Sequence, residues 1–432
     1  MGMPTKGETR KRELAIAAFA AFATYFCMYA FRKPFTAATY DDEVLFGAGL
    51  KSTLVISQLA GYMISKFIGI KVVSELNRKY RALAILSLIG LAELALVGFA
   101  ILPNHLKVLM MFLNGLPLGM IFGFVLSYLE GRQQTEALTA VLCASFIISS
   151  GVVKSVGQWL VQDIGVSDFS MPAITGAIFL LPLLVSVWLL EKTPPPGIND
   201  VRLRSERKEM KSVDRWRFFN AYRPGLLLLL FVYILLTILR TVRDDFGVEL
   251  WRDMGVSSRP AVFAQSEIIV AALVTILSAT AIFFRNNLDA LRAVFVLMCL
   301  AFLVTIGSAS LQSAGVIGPF GFMIMCGVGL YIPYVAFHTT IFERIVSSSK
   351  LPGNLAFLMY LADSIGYLGY ALVLAFNDTL RNQPEVLPLF RSTLMIFSVI
   401  SIACLIVAAF YFHRVLSKET KSSRSPSPSH PL

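Results

Sequence analysis

Twelve apolar runs decide what this chain can fold into. They lie at about 14–37, 50–72, 81–102, 106–129, 137–161, 171–191, 224–245, 260–284, 290–312, 316–343, 353–376 and 388–413. About 20 such residues span a hydrocarbon core of roughly 30 Å as a helix, and a helix satisfies its own backbone in lipid. Composition agrees: 56% of the 432 residues are hydrophobic, only 15% are charged, and mean hydropathy is +0.69. Soluble domains carry about 45–50% apolar and about 25% charged residues. The expected fold is therefore an all-α polytopic membrane protein, with about twelve transmembrane helices in two pseudo-symmetric six-helix bundles. The uninterrupted apolar stretch from Leu14 to Phe31 outlasts a secretory h-region and is followed by Arg32-Lys33-Pro34, so it reads as a retained helix.

The longest polar stretch, from Glu191 to Pro224, divides the runs six and six. The expected organisation is a bundle over 1–195, a basic linker over 196–222, a second bundle over 223–416 and a disordered tail over 417–432. Part of the linker reads as an amphipathic surface helix, with Trp216, Phe218 and Phe219 at the interface. The formal net charge of +11 does not point to nucleic acid, because the basic residues sit in short loops between apolar runs. Lys6, Arg10, Lys11 and Arg12, then Lys71, Arg78, Lys79 and Arg81, then the linker, then Arg414, Lys418 and Lys421 mark one side. The first opposite loop carries Asp41, Asp42 and Glu43. The positive-inside rule then puts both termini in the cytoplasm of a multi-pass protein of the cell membrane, the inner membrane where there are two. Cys27, Cys143, Cys299, Cys326 and Cys404 fall inside apolar runs without metal spacing and read as small buried hydrophobes.

The halves repeat a pattern. Tyr25, Tyr29, Arg32 and Thr36 in the first run have the same spacing as Tyr233, Thr237, Arg240 and Asp244 in the seventh, one stripe on one face of each helix. Repeated halves with a site between them are a transporter plan. Ionisable residues inside spans are costly and mark function by default. Counted along their helices, Arg32, Lys154 and Arg240 lie roughly 28, 25 and 24 Å up, in one layer. That layer reads either as a site or as the outer interface, where long cations snorkel. A guanidinium offers a planar fork that fits phosphate or carboxylate oxygens. Arg32 and Arg240, one per half, could clamp such a group, with Lys154 nearby and hydroxyls from Tyr25, Tyr29 and Tyr233. Arg243 and Asp245 read as charge balance, with Asp244, at the outer end of the seventh helix. Glu267 could neutralise an arginine in the empty site. Asp363, roughly 17 Å into its helix, and His338 are candidates for coupling.

No GxxxxGK[ST], HExxH or CxxC occurs, and four histidines make no Ser-His-Asp set. No enzyme activity, cofactor or metal is expected. The expected partners are lipid and a small anionic solute, with the chain acting as a monomer.

The 6+6 layout, cytoplasmic termini and basic central loop resemble the major facilitator superfamily over nearly the whole chain. A narrower resemblance is to its organophosphate:phosphate antiporter branch, which exchanges glycerol or hexose phosphates. It rests on YFCMYAFRKPF in helix 1, Ser65-Lys66-Phe67 in helix 2, Arg240-x4-Asp245 in VYILLTILRTVRDDF, Glu267, and the stretch from YIPYVAFH through NLAFLMYLADS. In that branch the two arginines, here Arg32 and Arg240, bind the phosphate group, and inorganic phosphate exchanges for the organic phosphate. The loop GIKVVSELNRKYRA is a worn form of the superfamily's Gly-Asp-Arg signature, and the branch's helix 5 histidine is not evident near Ser145-Phe146. The resemblance implies alternating access with exchange of a phosphorylated metabolite. A membrane sensor of the same fold and a proton-coupled symporter remain alternatives.

Overall fold

The computed structural model describes residues 6–40, 43–45, 47–129, 135–194, 212–256, 259–279, 286–349, 351, 355–376 and 385–424. The first half contains α1 (Lys6–Tyr29), α2 (Leu50–Glu75), α3 (Arg81–Ile101), α4 (Asn104–Leu118) continued by α5 (Ile121–Leu129), α6 (Thr135–Gln162) and α7 (Met171–Glu191). A short α8 (Ser212–Ala221) leads into the second half. That half contains α9 (Arg223–Asp245), α10 (Gly247–Asp253), α11 (Ala261–Ala279), α12 (Asn287–Ser313), α13 (Pro319–Ala336), α14 (Phe342–Ser348), α15 (Leu355–Phe376) and α16 (Val386–Arg424). A two-residue hairpin, β1 (Val44–Leu45) with β2 (Ala48–Gly49), joins α1 to α2. Asp41 and Asp42, most of the linker (195–211) and the last residues (425–432) lie outside the described residues.

The chain is an all-α polytopic membrane protein. Among the described residues ten helical runs are long and apolar enough to cross a bilayer, against the twelve or so expected from the sequence. The other two expected spans are present as α1 and α2, 24 and 26 residues long. The polar residues of α2 face inward: Lys51, Ser52, Gln58, Ser65 and Lys66 are all buried. Apolar side chains cover the outside instead: Leu94 is 67% exposed and Phe410 73%, while Lys51 is 0% exposed. Polar residues inside and apolar residues outside suit a solvent of lipid.

Two departures from a continuous cylinder bear on the site. The first apolar run was expected to be one helix through residue 37, but the α1 ladder ends at Tyr29. The chain passes through turns into a 3-10 segment, Pro34–Ala37, that Pro34 opens without an N–H to donate. Arg32 and Thr36 therefore follow the helix rather than sharing its face. In α13, Pro333 removes one ladder donor, and a π-helical turn, Phe337–Ile341, precedes α14. Such turns shift the register of a helix by one residue and concentrate at functional sites. α16 runs on to Arg424, so residues 417–424 are helical. In α8, Phe218 is buried against Tyr222, whereas Trp216 is 67% exposed.

Within the first half α1 packs on α6 and α7, α2 on α4, and α3 on α4 and α7. Within the second, α9 packs on α15 and α16, α12 on α13 and α16, and α11 on α13. The seam between the halves is made by α6 against α11 and α2 against α15. Gly151 permits the first contact, because a Cβ there would lie 2.7 Å from the Glu267 side chain of α11. The face where α1 begins is termed the near face below, and the face where α2 begins the far face.

Candidate functional site

Four helical stripes converge on the seam. α2 presents Gln58, Tyr62 and Lys66 at i, i+4 and i+8, and α9 presents Tyr233, Thr237, Arg240 and Asp244. α13 and its π turn present Tyr331, Tyr334 and His338, and α15 presents Asp363, Tyr367 and Tyr370. Helical spacing stacks each set on one side of its helix, and all of them are buried.

Arg32 and Arg240 stand on either side of one ring pair. The Arg32 guanidinium carbon lies 3.9 Å from the centre of the Tyr62 ring and 5.8 Å from that of Tyr29. The Arg240 guanidinium lies 4.3 Å from the Tyr334 ring, and its Nη2 donates to the Tyr367 hydroxyl at 3.3 Å. Tyr62 and Tyr367 touch edge to face, with centroids 5.7 Å apart. The two arginines are 5% and 4% exposed. Among the described residues neither has a carboxylate within ion-pair distance, and the Nε of each has no partner. Ring faces offset part of the charge. They leave most of the fork of N–H donors of each arginine to a ligand.

Below this layer, toward the near face, Lys66 Nζ is paired with Asp363 Oδ2 across the α2–α15 seam. The other Asp363 oxygen accepts from the Tyr233 hydroxyl and lies 3.7 Å from His338 Nε2. His338 Nδ1 is 2.9 Å from the Tyr334 carbonyl, which fixes the ring. Lys66 also lies 5.2 Å from the Tyr62 ring and 5.4 Å from the Tyr367 ring, so the cluster is continuous with the arginine layer.

Above it, toward the far face, the charges are paired. Lys33 holds Asp244, at 2.7 Å, and Asp245; Lys154 holds Asp244 at 2.6 Å; and Lys51 holds Glu249 at 2.5 Å. Ser150 donates to Asp244, and the Tyr370 hydroxyl donates to Asp245 at 3.0 Å. Within the second half Arg243 pairs with Glu267 at 2.7 Å and donates to the Met323 carbonyl at 2.9 Å. Every one of these pairs that crosses the seam, Lys66–Asp363 included, has its lysine in the first half and its carboxylate in the second.

The structure thus brings together six of the residues singled out from the sequence: Arg32, Arg240, Tyr29, Tyr233, Asp363 and His338. Tyr25 joins them through an edge-to-face contact with Tyr29, ring centres 5.6 Å apart. It does not bring Lys154 to the arginines, because Asp244 holds it, and Glu267 serves Arg243 rather than Arg32 or Arg240. Sequence reasoning missed Tyr62, Tyr331, Tyr334 and Tyr367 and the pairing role of Lys66. Their signal was present as spacing: Tyr62 is one turn from Lys66, and Tyr367 one turn from Asp363.

Three solved structures share this fold. A D-xylose–proton symporter superposes with a TM-score of 0.61 at 11% identity, over 91% of this chain and 96% of the other. A nucleoside transporter, NupG, gives 0.57 at 16% identity over 94% and 99%. A bacterial homologue of the human lysosomal transporter Spinster, inward-facing and unoccupied, gives 0.56 at 12% identity over 98% and 100%. The chain has the fold that these three transporters share. The chain itself belongs to DUF5690, a family of unknown function whose family model matches residues 34–415. No curated protein matches it.

Proposed function

We propose that this protein is a secondary transporter for a small organic anion, most simply a phosphorylated metabolite exchanged for inorganic phosphate. The carrying observation is the pair of buried, carboxylate-free guanidiniums of Arg32 and Arg240, one from each half, at the seam. Two uncompensated positive charges call for about two negative ones, and a planar fork on each side suits the oxygens of one phosphate. Because each half contributes one arm, rocking of the halves would carry the bound group from one side to the other. In this reading the near face is cytoplasmic, both termini lie there, and the monomer is the working unit in the cell membrane.

The test is uptake of radiolabelled phosphate into proteoliposomes preloaded with phosphate. Native protein exchanges, and Arg32→Ala and Arg240→Ala do not while remaining folded. Well-folded native protein without uptake would sink phosphate exchange, and binding without flux would turn the reading to a sensor. One observation favours a second reading, a proton-coupled cycle: His338 lies against Asp363, which also holds Lys66. Uptake that stops when a protonophore collapses the pH gradient would select it.

A further inference from the structure

The two arginines are held in place by different means. Arg240 sits inside the continuous α9, whose ladder satisfies its backbone. Arg32 lies past the end of α1, in a turn built from shorter bonds: Ala30 N to Cys27 O, Phe31 N to Met28 O and Arg32 N to Tyr29 O, each 3.0 Å. The last carbonyls of a helix have no partner from their own ladder. Here the orphans include the carbonyls of Phe31 and Arg32, in the interior of a membrane protein where an unpaired carbonyl is costly.

Two amide side chains satisfy them. Asn114 of α4 donates to Phe31 O at 2.9 Å, and Gln58 of α2 donates to Arg32 O at 2.8 Å. Gln58 also donates to Asn114 Oδ1 at 2.7 Å, and Asn114 donates its other hydrogen to Ala92 O of α3 at 3.0 Å. Asn114 is 0% exposed and Gln58 6%. With both N–H groups and its oxygen engaged, the Asn114 amide has one orientation only. α2 and α4 come close enough for this because residue 115 is glycine, where a Cβ would run into the Gln58 carbonyl. One turn along α2, Tyr62 lies under the Arg32 guanidinium. The same helix thus grips Arg32 twice, by its backbone through Gln58 and by its side chain through Tyr62.

We propose that Gln58 and Asn114 are positioning residues for the anion site: their amides bracket the turn after α1 so that the Arg32 guanidinium is held toward the seam, opposite Arg240. This rests on the anion-binding role assigned to Arg32 above. It assigns the bracket to one arm only, so its loss weakens the Arg32 contact and leaves the Arg240 contact intact.

The experiment uses the full-length protein with Gln58→Met, which keeps the volume and removes the donors, and Asn114→Ala. Gln58→Met carries the test if Asn114→Ala does not fold. Hydrogen exchange is measured over residues 30–33 and over α9, and phosphate uptake is measured in proteoliposomes, also with Arg32→Lys or Arg240→Lys added. The expected result is exchange at 30–33 faster by about tenfold with α9 unchanged, and half-saturating phosphate raised about tenfold with the maximal rate within about twofold, the size set by one buried hydrogen bond. The rise in half-saturation disappears in the Arg32→Lys background and persists in the Arg240→Lys background. Unchanged exchange at 30–33 overturns the bracket. So does faster exchange with unchanged half-saturation, or an equal rise in both backgrounds, which would make the amides simple struts. Native protein that takes up no phosphate at all defeats the anion reading, and the exchange rates, which need no ligand, tell that failure from failure of the bracket.

Discussion

The arginine layer and the lysine pairs are equally deep in the protein, yet their chemistry is opposite. Lys33, Lys66 and Lys154 are 5%, 5% and 4% exposed, close to Arg32 and Arg240, and Lys51 is fully buried. Each of these lysines meets a carboxylate from the other half, and among the described residues neither arginine meets one. A buried charge without a partner costs several kcal/mol, roughly, and persists only where something repays it. The paired lysines need no further explanation than holding the halves together. The arginines do, and tyrosine rings around a delocalised cation are a way of keeping it available rather than neutral.

Removing a paired charge and removing an unpaired one therefore have opposite effects on stability. The largest effect is expected at the fully buried pair. Lys51→Met or Glu249→Gln alone strands the other charge and lowers stability by about 3–5 kcal/mol. Joining Lys51→Met to Glu249→Met restores most of it, as thermal unfolding in detergent would record. If the double variant is no better than the singles, the pair does not act as one unit.

Next come the arginines. Arg32→Ala or Arg240→Ala removes charge-assisted hydrogen bonds to the anion worth about 3 kcal/mol, roughly 100-fold in phosphate half-saturation, which abolishes uptake at phosphate concentrations that half-saturate the native protein. The melting temperature should stay level or rise, because an uncompensated buried charge has gone. A fall like that of the lysine variants would mean that the arginines are paired in the working protein, and the contrast would collapse.

Smaller and sharper is Tyr62. Tyr62→Phe keeps a ring under Arg32 and should change half-saturation by less than about twofold. Tyr62→Ala loses the ring and should raise it about fivefold, the value of roughly 1 kcal/mol for a shielded cation–π contact. Equal effects from the two substitutions would point to the hydroxyl instead.

Much of this architecture could be read from residue order. The spans are legible because lipid demands about 20 apolar residues per crossing. Arg32, Arg240, Asp363 and His338 stand out because a charge or imidazole inside such a run is rare. The places where that reading slipped are also physical. It drew one helix through residue 37, because the apolar pattern continues past the point where the ladder ends at Tyr29. It grouped Lys154 with the arginines by height alone, since counting residues along a helix gives depth but not the side on which a partner stands.

The sequence by itself determined the class of fold, its division into halves and which side chains are too costly to be idle. Only the tertiary structure decided which of those charges cancel. Lys33 and Asp245 are 212 positions apart, and Lys66 and Asp363 are 297 apart. Pairing at that range depends on how helices of two halves rotate and pack against one another, which no local spacing records. The same packing left Arg32 and Arg240 on either side of Tyr62 and Tyr367, with no carboxylate paired to either among the described residues, and the proposed site rests on that difference.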